Sequence, residues 1–118
     1  MTRNCSCRCG PFTVSLIPPG ILKPLILKIL ENRPLHGYEI MQDIALRTGG
    51  YWRPTAGSIY PALTSLEEEG YVERHKVSQG ERIKQVYTLT EEGKKATIGM
   101  EKFSEELKTS FNHLLNLW

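Results

Sequence analysis

Three thiols stand within five residues of one another in the run Cys5-Ser6-Cys7-Arg8-Cys9, and no other part of the chain concentrates so much reactive chemistry. In a reducing compartment such thiols more often bind metal or exchange electrons than form structural disulfides. One chain supplies three sulfurs, however, where zinc or an iron–sulfur cluster takes four ligands. A metal site at Cys5, Cys7 and Cys9 therefore requires the arms of two chains to meet, or a ligand from elsewhere. The alternative is an arm whose thiols have no joint role, so neither a metal nor a cofactor is assigned, and the three remain candidates for metal or redox sensing. His36, His75 and His113 fall in a turn, a strand and a terminal helix, with no Asp or Ser at nucleophile spacing. Nothing there assembles a catalytic group, and the expectation is a protein that is not an enzyme. His36 instead suits a cap or hinge before the helix that follows it.

A second set of residues is suited to binding. No acidic side chain occurs between Asp43 and Glu67, and this stretch carries Thr55, Ser58, Tyr60 and Thr64. Their hydroxyls can bond phosphate oxygens or base edges. The helix that holds them has an acid-free N-terminus, whose positive dipole end favours phosphate. No Arg or Asn on this face offers the bidentate reading of guanine or adenine, so specificity rests on few base contacts and on DNA shape. The competing reading is a packed helix with small residues facing solvent, in a module that binds protein instead of DNA.

These residues need elements to position them. Gly20 to Glu31 sets Leu22, Leu25, Ile26, Ile29 and Leu30 at helical spacing, with Pro24 tolerated in the first turn. Gly37 to Thr48 repeats the pattern with Ile40, Met41, Ile44 and Ala45 inward, and Gly49-Gly50 supplies the stop. From Thr55 to Glu69, Ile59, Ala62, Leu63 and Leu66 share one face, while Gly57, Ser58, Tyr60, Pro61 and Thr64 lie on the other. Thr55 is expected to cap this helix through its side chain, and Gly70 to end it. Tyr71 to Val77 and Ile83 to Leu89 are rich in β-branched and aromatic residues, and Gly80 between them permits a tight reversal. Arg74, Lys76, Arg82 and Lys84 make this hairpin net basic against Glu73 and Glu81, and Arg82 and Lys84 are placed to meet a phosphate backbone or a minor groove.

Thr90 then reads as an N-cap, followed by Glu91 and Glu92 in a first turn. From there to Trp118 a single helix is expected, with Ala96, Met100, Phe103, Leu107, Phe111, Leu114 and Trp118 stepping by four or three. A stripe this apolar must be covered, most simply by a second copy, so Met100, Phe103, Leu107, Phe111, Leu114 and Trp118 are the expected dimer interface.

The chain of 118 residues suits one domain with an appended dimer element, and a net charge of +2 is too small to imply nucleic-acid binding by bulk charge. Thr13–Ile17 is short and followed by Pro18 and Pro19, and Ile21–Leu30 is too short and too interrupted by Lys to span a bilayer. No membrane contact and a cytoplasmic location are therefore expected.

Four motifs come in one order: HGYEI at His36 to Ile40, GSIYPAL at Gly57 to Leu63, LEEEGYV at Leu66 to Val72, and VYTLTEEG at Val86 to Gly93. Together they resemble the winged-helix transcriptional regulators of the PadR type, over roughly residues 20 to 95. The resemblance implies an α+β fold, mostly α: a winged helix-turn-helix with a C-terminal dimerisation helix. The expected divisions are an N-terminal Cys-containing arm over 1–19, a DNA-binding domain over 20–90 and the dimerisation helix over 91–118. It also implies a dimeric repressor bound to double-stranded DNA, in which Tyr38 and Tyr60 touch the backbone with Ser58 beside them. For Tyr38 a half-buried ring with its hydroxyl at the rim is the alternative. Members of this family with a single C-terminal helix can bind flat aromatic compounds at the dimer interface. Phe103 or Phe111 can line such an effector site, or both can be dimer core. The Cys run departs from the family pattern.

Overall fold

A computed structural model of the chain describes residues 6–9, 12–15 and 20–118, with side chains from residue 20 onward. Near the N-terminus, β1 (Ser6–Cys9) pairs antiparallel with β2 (Phe12–Ser15), setting Cys7 opposite Val14 and Cys9 opposite Phe12. The arm expected over 1–19 thus contains a hairpin. Strands of four residues are too short to display the alternation by which a sequence announces them. Cys5 lies outside the described residues, as do the side chains of Cys7 and Cys9.

Three helices follow at the expected places: α1 (Leu22–Leu30), α2 (Gly37–Arg47) and α3 (Ala56–Glu68). Their inward faces meet in one core, in which Ile26, Ile29, Ile40, Ile44, Ile59, Leu63 and Leu66 are fully buried. The start of α2 is closed by a capping box: His36 Nδ1 accepts from the Glu39 backbone N–H at 3.3 Å, and Glu39 Oε1 accepts from the His36 backbone N–H at 3.2 Å. This is the capping role expected of His36. The helix ends at Gly49 and Gly50, with φ of 62° and 82°, the left-handed backbone that side chains resist.

Thr55 departs from expectation. It occupies the N-cap position of α3 in extended backbone, and its carbonyl accepts from Ser58 and Ile59 N–H, but its side chain makes no cap bond. The hydroxyl lies 3.3 Å from Ser58 Oγ instead, so one side-chain oxygen satisfies the other and not the helix end. Pro61 sits inside α3 and removes the bond that the Gly57 carbonyl would accept, yet the helix continues to Glu68 because its inner face is fully engaged.

The hairpin is longer than its apolar runs. β3 (Val72–Gln79) and β4 (Arg82–Leu89) pair antiparallel up to Gln79 opposite Arg82, leaving a two-residue turn of Gly80, at φ 64°, and Glu81. Only Val72 and Tyr87 of the hairpin are buried. A single bridge from Leu35, in the turn before α2, adds a third position to the sheet through Tyr87 N–H to Leu35 O at 2.8 Å. This ties the root of the hairpin to the entry of α2.

The last helix, α4 (Glu91–Leu115), is capped as expected: Thr90 Oγ1 accepts from the Gly93 N–H at 3.1 Å. The same hydroxyl donates to Gly70 O at 2.6 Å, and Thr90 N–H donates to Tyr71 O at 3.1 Å. Gly93 packs so close to the Tyr71 carbonyl that a Cβ there would overlap it. The start of α4 is therefore held directly on the α3–β3 junction. Further along, Thr97 is buried and Lys28 Nζ bonds Glu101 Oε1 at 2.8 Å, so the first half of α4 lies along α1. That contact draws the Lys28 ammonium above its usual pKa and the Glu101 carboxyl below its own.

The stripe on α4 needs two corrections. Met100 is half-buried against α1, so α1 of the same chain covers the beginning of the stripe. The helix also stops at Leu115 short of Trp118, and its end tightens into i→i−3 bonds, Leu117 to Leu114 at 3.3 Å and Trp118 to Leu115 at 3.2 Å. Beyond Ser104 nearly all of the described residues of α4 are exposed, Phe111 and Leu114 among them, as are Phe103 and Trp118, while Leu107 is half-buried.

Candidate nucleic-acid interface

The outer face of α3 carries Ser58, Tyr60, Pro61 and Thr64 in solvent, with no acidic residue in its first turn. Ile59, Leu63 and Leu66 hold the opposite face to the core at 0, 0 and 2% exposure. The two faces are thus divided as their spacing indicates. Beside α3 stands the hairpin, and between them lies a cleft of about 420 Å³ lined by His36, Gly37, Tyr60, Thr64, Arg74, Lys84, Gln85 and Tyr87. Tyr60, Thr64 and Lys84 come together there. Lys84 also lines a second cleft, about 390 Å³, with His36, Glu39, Val77 and Gln79. Thr55 and Ser58 form a separate pair at the start of α3, and Arg82 stands at the far turn of the hairpin. Tyr38 is in the first turn of α2 and 57% exposed, which favours an outward-facing hydroxyl over a half-buried ring.

Most of the described cations outside the hairpin are paired. Lys23 pairs with Glu69, Lys28 with Glu31 and Glu101, Arg47 with Asp43, and three lysines of α4 pair within that helix. On the hairpin, Arg74 is taken by Glu67 at 3.3 Å and by Gln85 at 3.2 Å. Lys76, Arg82 and Lys84 have no ion-pair partner among the described residues, and neither do Arg53 immediately before α3, Arg33 before α2 and Lys102 on α4. Arg53 and Lys76 were not singled out as site residues from the sequence. An unpaired cation is recognised only once the carboxylates around it have been placed.

Within the cleft, burial pushes the Tyr87 phenol above its usual pKa, while the Arg74 guanidinium works in the other direction. Tyr87 accordingly remains a neutral wall. Gly37 is a further residue that spacing could not identify, because its significance lies in a contact with Tyr60 across the cleft. Among the described residues no cluster of three or more His, Cys, Asp or Glu has the arrangement of a metal site. No described helix is long and apolar enough to cross a membrane.

This arrangement of helices and hairpin recurs in known proteins. Residues 26–98 match the family model described as the transcriptional regulator PadR-like family. The negative transcriptional regulator PadR of Bacillus subtilis is 36% identical over 75 residues, which make up 63% of this chain and 41% of that protein. Transcriptional regulator YqjI of Escherichia coli is 36% identical over 74 residues, 63% of this chain and 34% of its own length. The chain thus spans well under half the length of these curated relatives. Among solved structures, a transcriptional regulator from Clostridium thermocellum superposes with a TM-score of 0.72 at 26% identity, covering 80% of this chain and 92% of that one. Bacillus subtilis PadR in complex with operator DNA superposes with a TM-score of 0.63 at 33% identity, covering 70% of this chain and 48% of that one. These relatives are regulators of transcription and not enzymes, and the chain, matched across its helices and hairpin, belongs to the PadR-like family of transcriptional regulators.

Proposed function

We propose that this protein is a cytoplasmic, homodimeric repressor that binds double-stranded DNA through α3 and the β3–β4 wing. The observation that carries this reading is the distribution of unpaired cations. Of the cations without an ion-pair partner among the described residues, Arg53 immediately precedes α3 and Lys76, Arg82 and Lys84 lie on the hairpin beside it, whereas Arg33, before α2, and Lys102, on α4, stand apart from that face. An α-helix fits a major groove, and a basic two-stranded wing beside it reaches the flanking backbone. In this reading Ser58, Tyr60 and Thr64 face the groove or its phosphates, Thr55 stands at the positive end of α3, Tyr38 meets backbone from α2, and Arg82 and Lys84 neutralise phosphate. The solved complex of the Bacillus subtilis relative with operator DNA supports the partner, and that relative's description as a negative regulator supports repression.

Dimerisation is supported by Phe103, Phe111 and Leu114, which the described residues leave exposed on α4. A second copy of α4 is the occupant of this face, with Met100, Leu107 and Trp118 at its margins. An apolar groove of about 170 Å³ between α1 and α4, lined by Ile21, Pro24, Leu25, Thr97 and Met100, is a place where a small aromatic effector can alter the packing of the two helices. Redox control through Cys5, Cys7 and Cys9 is the other signal that the chain offers, and metal content with DNA binding by the triple Cys→Ser variant separates the two.

The function is tested by binding to a labelled random duplex over a range of salt. Affinity is expected to fall linearly with log salt, by about 0.9 in log K per log salt for each phosphate neutralised. Absence of any salt-dependent duplex binding refutes it and leaves a winged-helix module that binds protein.

A further inference from the structure

Gly37 has no backbone reason to be glycine. It is the first residue of α2 and is buried, and its φ is not among the positive values found at Gly20, Gly49, Gly50, Gly70 and Gly80. Alanine is the better helix former, so a bare Cα here points to something pressed against it. That neighbour is one side chain. A Cβ built on Gly37 would stand 2.6 Å from Tyr60 Cε1, 2.8 Å from Cζ and 2.9 Å from the hydroxyl oxygen, and these are its three nearest atoms. The outer edge of the Tyr60 ring therefore rests on the bare Cα of Gly37, across the gap between α2 and α3.

The rest of the Tyr60 side chain is loosely held. It is 44% exposed, and its hydroxyl has no hydrogen-bond partner among the described residues. A side chain with two free torsions and no anchoring bond takes whatever rotamer its neighbours leave open. Here the neighbours leave a place in the cleft that Thr64, Arg74 and Lys84 also line, and Lys84 has no carboxylate partner among the described residues. A hydroxyl and an unpaired ammonium lining one cleft are both donors that a phosphate oxygen accepts from.

We propose, on the basis of the DNA-binding function above, that Gly37 is the positioning residue for Tyr60. Its missing side chain is the seat that holds the ring at the cleft that Lys84 also lines, its hydroxyl ready to donate to a DNA phosphate. The seat lies on α2 and the ring on α3, so the contact also fixes how the phosphate ligand of one helix is presented by the other. Because the displaced group is the free end of an exposed side chain, filling the seat removes a DNA contact without unsettling the core.

The test compares the full chain as wild type, Gly37→Ala, Tyr60→Ala and the double variant, by anisotropy on a labelled random duplex at low salt and by thermal melting. Gly37→Ala is expected to weaken binding roughly tenfold in the Tyr60 protein, as loss of one hydrogen bond to a charged group does, with no fall in Tm. In the Tyr60→Ala protein the same substitution is expected to change affinity less than about twofold, because no ring remains to be displaced. Equal losses in both backgrounds overturn the proposal, as does unchanged affinity of Gly37→Ala. A fall in Tm in both backgrounds also overturns it, since the glycine then serves helix packing. Wild-type protein that does not bind duplex in a salt-dependent way refutes the DNA-binding function itself, whereas binding wild type with additive variants refutes only the role of Gly37.

Discussion

Thr55 and Thr90 stand at the same position of successive helices, yet their hydroxyls are spent differently. Thr90 Oγ1 both accepts from Gly93 N–H and donates to Gly70 O, so it closes a helix end and joins two segments that are twenty residues apart. Thr55 Oγ1 meets only Ser58 Oγ and leaves the first N–H groups of α3 to solvent or to a ligand. Thr90→Ala is therefore expected to cost about 1–2 kcal/mol in denaturant unfolding, the usual loss of a cap. Thr55→Ala is expected to cost less than roughly 0.5 kcal/mol, as a surface substitution does, while weakening DNA binding. Equal stability losses would mean that Thr55 caps after all. Sequence can nominate an N-cap, because the preference is local. It cannot say which of two hydroxyls a side chain will choose, and the approach of Tyr60 to Gly37 was beyond it for the same reason.

Helices α1 to α3 were legible because each repeats apolar residues at 3.6 spacing, and α2 and α3 end at glycines whose conformation few other residues take, while Pro34 follows the end of α1. The hairpin was legible in place but not in extent. Ser78, Gln79 and Arg82 carry no β-branched or aromatic signal, and they join the ladder only because the Gly80–Glu81 turn brings the chains together. The Leu35 bridge had no local signal at all, being one residue deep. This longer ladder bears on the wing: it carries Arg82 to the very end of a two-stranded lever, whereas Lys84 stays in the cleft beside α3. The two cations should then behave alike in salt and differently in sequence preference. Replacing either by Gln is expected to lower the salt slope by about 0.9. Only Lys84→Gln, at a residue that lines one cleft with Tyr60 and Thr64, should also change the ratio of operator to random binding. Unchanged slopes in the double variant would remove the wing from the interface.

At the scale of the molecule, the Cα radius of gyration is 16.2 Å, where a compact chain of this length would have roughly 13.5 Å. One contributor is α4, whose twenty-five residues form a rod of about 37 Å with an exposed second half. A rod with Phe111 and Leu114 bare is short of a partner. Leu107→Lys with Leu114→Lys is expected to yield monomer in sedimentation, or insoluble protein, because charge buried without a partner is costly. Wild type that sediments as a monomer at micromolar concentration would refute the dimer.

The junction of α3 with α4 bears on the DNA as well. Thr90 is bonded to Gly70, its backbone to Tyr71, and Gly93 presses on the same turn, so these contacts tie α3, the proposed reading helix, directly to the start of α4, the proposed dimerisation helix. In the proposed dimer the two copies of α3 then keep a fixed distance and a fixed rotational phase. Duplex DNA presents the same groove face once in every turn of about 10–10.5 base pairs. An operator for such a protein has a single permitted gap between its halves, and adding about half a turn places the second half on the far side of the duplex, where a body tied in this way cannot follow.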